Sequence, residues 1–306
     1  MSAILRAIVA SSSWVTPINT HSPAPTRPTV SPSTLTDASL TRWTTARIAG
    51  PYPEVVPTED LSFTGSSGAR LSGVLHRPTG TAKGSVLLAH CFTCGKDLHT
   101  MTRLARALAR EGYAAFRFDF TGLGTSGGDF ARTTVATNVA DLSRAAFVLI
   151  QEGFGPFAMV GHSLGGAAVL LAAHRVKTAT AIVVLAAPAD TDHVQHLFAD
   201  DLDTIRSDGC AVVHIAGRPF PIGNEFLDDL ATHRVLDRVA ELDRPLLVLH
   251  GPDDEVVPFD HAQRIYDAAH APKRLVSLAG ADHLLSDRTV ADQAAAAIVA
   301  WLDETT

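Results

Sequence analysis

The stretch Gly155-Pro-Phe-Ala-Met-Val-Gly161-His162-Ser163-Leu164-Gly165-Gly166 decides how this chain is read. An apolar run over 157–160 predicts a strand, and the small and apolar residues over 164–173 predict a helix. Between them, Gly-His-Ser-Leu-Gly matches the G-x-S-x-G nucleophile elbow in the strand–turn–helix context that gives the motif its meaning. So sharp a turn leaves no room for side chains at Gly161 and Gly165. Ser163 is thereby expected at the edge of a sheet, where the positive end of the next helix favours an anion.

Outward from the elbow, strands and helices alternate. Strands are predicted over 85–89, 113–118, 181–186, 246–249 and 275–278, and helices over 98–111, 135–150 and 290–301. A hairpin is expected on either side of Gly65-Ser-Ser-Gly68, with strands over 61–64 and 69–77. Continuous apolar strands between amphipathic helices describe an α/β domain with a mostly parallel sheet and helices on both faces. The rhythm breaks over about 189–243, where a hairpin is expected over 211–222 around Gly217-Arg218-Pro219, followed by a helix from Glu225. An insertion there belongs above the carboxyl ends of the strands, as a small cap over the site. The domain is therefore placed at 58–306. Residues 1–57 are rich in Pro, Ser and Thr and are expected to form a disordered tail. Their Arg6, Arg27, Arg42 and Arg47 also give them the composition of a transit peptide.

Composition excludes several function classes. A net charge of -7 with no basic stripe argues against nucleic acid. The longest apolar run, over 179–189, is too short to span a bilayer, so no membrane partner is expected. Three cysteines cannot build a secreted disulfide framework, which makes a reducing, cytoplasmic setting the expectation.

A serine nucleophile needs a base, and the base needs an orienting acid. In this chain order the acid follows the serine and the histidine comes last. After the strand at 246–249 stands His250-Gly-Pro-Asp253-Asp254, and after the strand at 275–278 stands Ala279-Gly-Ala-Asp282-His283. Three loops at one sheet edge thus offer Ser163, Asp254 and His283. Asp190 and Asp253 are rivals to Asp254, and Asp282 is expected to shape the histidine loop. An oxyanion hole requires two N–H donors: that of Leu164, and one from His90-Cys91-Phe92-Thr93-Cys94, with Phe92 preferred and Cys91 the alternative.

Leu-Ala-His90, Asp119-Phe-Thr-Gly122-Leu-Gly124, Gly-His-Ser-Leu-Gly and His250-Gly-x-x-Asp254-x-Val-Val-Pro258 resemble the serine esterases of the α/β-hydrolase superfamily. His90-Cys-Phe-Thr-Cys94, Gly217-Arg-Pro-Phe220, Phe226-Leu-Asp-Asp-Leu230 and Gly280-Ala-Asp-His-Leu-Leu285 are more specifically similar to the hydrolase half of bifunctional α/β-hydrolase–OsmC proteins. The resemblance covers about 58–303 and implies a hydrolase of small-molecule carboxylic esters that works through an acyl-enzyme, without metal or organic cofactor. Thioester or lactone hydrolysis is the alternative, as is a non-catalytic module partnering a separately encoded OsmC-type peroxidase. The sequence stops where the peroxidase domain of such proteins would begin, and Cys91 stands where many superfamily members carry Gly.

Three further patterns are set against plainer readings. Gly122-Leu-Gly-Thr-Ser-Gly127 matches a dinucleotide fingerprint, but the helix is expected to open later, at Thr133 or Thr134. His193 and His196 stand one helical turn apart, as two metal ligands could, and are read as part of a solvated cap helix. Cys91 and Cys94 are read as packing thiols; were they to pair, oxidation would distort the oxyanion loop and brake activity.

Overall fold

The computed structural model describes residues 56–155, 157–270 and 272–305, so the expected tail lies outside the described residues but for positions 56 and 57. In chain order, β1 (Thr58–Thr64), β2 (Arg70–His76) and β3 (Gly84–Ala89) lead into α1 (His99–Arg110). There follow β4 (Tyr113–Phe118), α2 (Val135–Gln151), β5 (Phe157–His162), α3 (Leu164–Ala172) and β6 (Ala179–Leu185). The insertion contributes α4 (Leu202–Asp208), β7 (Cys210–Ile215), β8 (Arg218–Gly223), α5 (Asn224–Leu230) and α6 (Val235–Ala240). Finally come β9 (Leu246–His250), α7 (Phe259–Ala268), β10 (Lys273–Ser277) and α8 (Arg288–Thr305).

Eight strands form one sheet in the order β1-β2-β4-β3-β5-β6-β9-β10. The pairings β1–β2 and β2–β4 are antiparallel, and every pairing from β4 to β10 is parallel. Alternation of side chains across the pleat divides each central strand between two cores. In β3, Leu87 and Ala89 face the core that α2 and α3 cover, while Val86 and Leu88 face the one that α1 and α8 cover. A strand buried on both faces must be apolar throughout, which is why β3, β5 and β9 read as unbroken hydrophobic runs.

The helices follow the periodicity of their sequences. α1 buries Met101, Leu104, Ala105 and Leu108 on one stripe, each large side chain being worth about 1.5–3 kcal/mol. Thr134 and Thr137 form a reciprocal capping box that starts α2, so no helix opens on Gly122-Leu-Gly124. α3 is buried on nearly all sides because it lies between the sheet and the insertion. Several strand boundaries differ from expectation, and two of them bear on the site. β5 runs on through His162, so the turn begins abruptly at Ser163. β10 begins at Lys273, because parallel pairing with β9 recruits charged residues that an edge strand tolerates.

Between β6 and β9 the chain forms a 3₁₀ segment (Asp192–Asp201), α4, the antiparallel pair β7–β8, α5 and α6. Its Val194, Phe198, Ile205, Val213 and Phe226 extend the core on the α3 side. No described helix is long and apolar enough to cross a membrane.

Candidate active site

The elbow is built from close backbone approach. A Cβ on Gly161 would lie 2.4 Å from the carbonyl oxygen of Gly165, and one on Gly165 would lie 2.3 Å from that of His90. Ser163 sits between them at φ 55°, ψ -129°, a left-handed backbone rare for a non-glycine residue. Its N–H donates to Leu185 of β6 (2.9 Å) and its carbonyl accepts from Gly166 (2.8 Å). Those bonds hold the serine proud of the strand end, at the N-terminus of α3.

Three loops after β5, β9 and β10 bring the predicted residues together. His283 Nε2 lies 2.9 Å from Ser163 Oγ, and its Nδ1 lies 2.9 Å from Asp254 Oδ2. With the carboxylate ionised, Nδ1 carries the proton and Nε2 is left to accept from the hydroxyl. Asp254 is buried. Burial alone would raise its pKa, but the hydrogen bond and charge of His283, with N–H donors from Val257 and Val256, outweigh that and hold the carboxyl below its ordinary range. The rivals are placed elsewhere. Asp190 faces Arg264 (3.3 Å) and His261 (3.9 Å), Asp253 is exposed, and Asp282 accepts from Ser286 N–H (2.7 Å) within its own loop.

The loop after β3, from which the sequence leads one to expect an oxyanion donor, lies against the elbow, as the contact between Gly165 and His90 requires. His90 is buried and its ring fixes the loop. Its Nε2 accepts from Phe120 N–H (3.2 Å), so Nδ1 carries the proton and donates to the Cys91 carbonyl (2.8 Å). Burial, ahead of every other influence, lowers its pKa, which keeps it neutral in this role. Neither Phe92 N–H nor Leu164 N–H donates to an acceptor among the described residues, and the same holds for Cys91 N–H. The reading of Cys91 and Cys94 as separate packing thiols is corrected: they form a disulfide, because the turn between them brings their Cα atoms to 5.4 Å.

Behind the loop, the Gly-x-Gly segment serves a buried ion pair rather than a nucleotide. Asp119 accepts from Lys96 Nζ (2.8 Å), Lys96 N (2.6 Å) and Thr125 N (2.9 Å). A Cβ on Gly124 would lie 2.2 Å from that carboxylate.

The structure also brings in residues that sequence reading did not single out for the site. His162 Nε2 donates to the His283 carbonyl (2.7 Å). His193, expected on a solvated cap helix, is half-buried and donates to the carbonyl of Val256 in the acid loop (2.7 Å). No group of side chains suited to hold a metal is present among the described residues. From the cap, the Arg218 guanidinium donates to the Thr93 carbonyl, and Phe226 stacks on Phe92 with ring centroids 5.2 Å apart. Phe92, Phe130, Leu123 and Phe226 enclose a cavity of about 10 Å³ beside Leu164. A larger groove of about 610 Å³ runs along the edge of β1 and β2, lined by Arg70, Lys96 and Asp97, away from the serine.

A family model described as serine aminopeptidase, S33 matches residues 80–207. Among solved structures, the esterase domain of a Rhodothermus marinus protein is similar. It is 40% identical, with 81% of this chain and 98% of that one covered, at a TM-score of 0.68. The uncharacterized protein Rv2307c of Mycobacterium tuberculosis is 30% identical over 271 residues, covering 84% of this chain and 85% of its own. The mitochondrial palmitoyl-protein thioesterase ABHD10 of Mus musculus is 29% identical over 167 residues, covering 53% of this chain and 55% of its own.

Proposed function

This chain belongs to the α/β-hydrolase family, and on that footing we propose that it cleaves carboxylic esters through an acyl-enzyme on Ser163. The observation that carries the reading is the single imidazole of His283 bonded to Ser163 Oγ on one side and Asp254 on the other. In the first half-reaction Ser163 Oγ attacks the ester carbonyl while His283 Nε2 takes its proton. Asp254 holds the tautomer and stabilises the imidazolium. The N–H groups of Leu164 and Phe92 receive the oxyanion, and the field at the N-terminus of α3 adds to them. His283 then protonates the departing alcohol. In the second half-reaction it activates water against the acyl-enzyme, and the acid leaves. The cluster of Phe92, Phe130, Phe198 and Phe226 on the loop beside Leu164 favours an apolar acyl group.

The test is hydrolysis of p-nitrophenyl esters from acetate to palmitate by wild type and Ser163→Ala. Wild type is expected to turn over, with kcat falling by about 10⁴–10⁶ in the variant. A fluorophosphonate probe is expected to label Ser163. Equal rates in the two proteins, with no labelling, would overturn the reading and favour the non-catalytic module.

A second reading, thioester hydrolysis, is favoured by similarity to the mouse palmitoyl-protein thioesterase. The same serine chemistry serves it. A kcat/KM for palmitoyl-CoA above that for p-nitrophenyl palmitate would select it.

A further inference from the structure

We infer that the Cys91–Cys94 disulfide is a positioning element for the oxyanion hole, so that hydrolysis requires the oxidised pair and slows when it is reduced. The inference rests on the acyl chemistry proposed above. The bonded cysteines bracket Phe92, whose N–H is the proposed donor, and Thr93. Thr93 is β-branched and buried, yet it holds φ at 59°, a strained conformation that persists where its surroundings over-determine it. A covalent ring closed across the turn supplies that constraint, together with the 3.2 Å bond from Cys94 N–H to the Cys91 carbonyl. Within the turn Thr93 Oγ1 also donates to the Phe92 carbonyl (2.7 Å), while Arg218 on the Thr93 carbonyl, the Phe226 ring on Phe92, and His90 on the Cys91 carbonyl act from outside it. None of them spans the two residues between the cysteines.

This reverses the sense expected from the sequence. The disulfide is present in the same structure in which His283 bonds both Ser163 and Asp254, so the bond clamps an assembled site rather than distorting it. Reduction is balanced by a dithiol. Two electrons and two protons pass to the cysteine sulfurs, the S–S bond opens to two thiols, and the reductant leaves as its own cyclic disulfide. Cys91 is buried and Cys94 half-buried, so attack is expected on Cys94.

The experiment measures ester hydrolysis and fluorophosphonate labelling by the full chain, with and without dithiothreitol, while free thiols are counted. Cys210 is free and the chain has three cysteines, so the count should rise from one to three. Over that change kcat is expected to fall about tenfold with KM unchanged, short of the ~10²–10³ lost when an oxyanion donor is removed outright. Cys91→Ala/Cys94→Ala should show the lowered kcat and no response to reductant. A bridge across so short a loop removes little chain entropy, so the melting temperature should barely follow. A merely structural bond would change kcat only through Tm. Equal kcat and labelling rates at one and at three thiols would overturn the clamp alone. Three thiols persisting after oxidised glutathione would also overturn it. If Ser163 is labelled in neither state, the hydrolase reading fails, and the clamp with it.

Discussion

His162 Nε2 donates to the main-chain carbonyl of His283 across 2.7 Å, so the residue preceding the proposed nucleophile holds the backbone of the proposed base. Burial, and then the charge of His283, lower the pKa of His162 to about 3, and it stays neutral at any assay pH. His162→Phe fills the space without the donor. It should leave a half-buried carbonyl without its partner, at a cost of about 1 kcal/mol, and lower kcat by about 10–100-fold through misplacement of the imidazole. His162→Gln, which keeps an N–H, should retain most activity. Steady-state kinetics and thermal melts of the two variants check this.

Gly165→Ala should separate the two halves of the oxyanion hole. Its Cβ would meet the main-chain oxygens of His90 at 2.3 Å and Ala89 at 2.9 Å, and neither can swing away as a side chain could. A loss of about 10²–10³ in kcat is expected. Gly155→Ala, where a Cβ meets nothing within 4 Å, is the control and should leave kinetics unchanged.

Acid should destabilise the fold well above the carboxylate range. Burial, with the charges of Arg117 and Arg106, lowers the pKa of His76 from 6.5 to about 4, and its Nε2 accepts from Arg117 Nε (3.0 Å). Between those values the unfolded chain binds a proton that the folded chain refuses, so stability present above pH 6.5 is lost as pH falls towards 4. Buried His162 acts in the same sense down to about 3. Melting temperatures from pH 7.5 to 4.5 should fall, and less steeply in His76→Gln.

Asp254 adds a later limb. Its folded pKa lies below the ordinary 3.8, so its contribution is complete above that value and fades as pH drops through the folded one. Asp254→Asn should therefore melt lower than wild type at neutral pH, and the gap should close in strong acid.

Arg218→Ala should loosen the oxyanion loop from the cap side. The guanidinium bonds the Thr93 carbonyl and lies 5.0 Å from the Phe220 ring. A bond from a charged donor is worth about 1.5–3 kcal/mol, and part of that loss should reach kcat as a several-fold decrease. Arg218→Lys, with a point charge instead of a planar fork, should recover only part of it. Parallel kinetics on one short-chain ester would expose the order.

The parts of the site that could be read in sequence are those set by local geometry. Gly161 and Gly165 announce a turn that only small residues permit, and Asp254 and His283 follow apolar strands that a parallel sheet must align. His162, His193 and Arg218 escaped because their partners lie 121, 63 and 125 residues away, where no periodicity connects them. The insertion between β6 and β9 was visible as a break in rhythm, and its hairpin and the helix near Glu225 could be placed from turn signals. Its 3₁₀ segment could not be, since that conformation is fixed by packing rather than by pattern. The cysteine pairing escaped for a different reason: composition suggested a compartment, whereas a short turn fixed the distance.

Phe92, Phe130 and Phe226 leave a cavity of only about 10 Å³ between them, the room of roughly one water. On the proposed reading, an acyl chain entering between Phe92 and Phe226 would part their stacked rings. Long-chain esters of differing chemical reactivity would then share one cost in kcat/KM, set by the parting of those rings, that an acetate ester escapes.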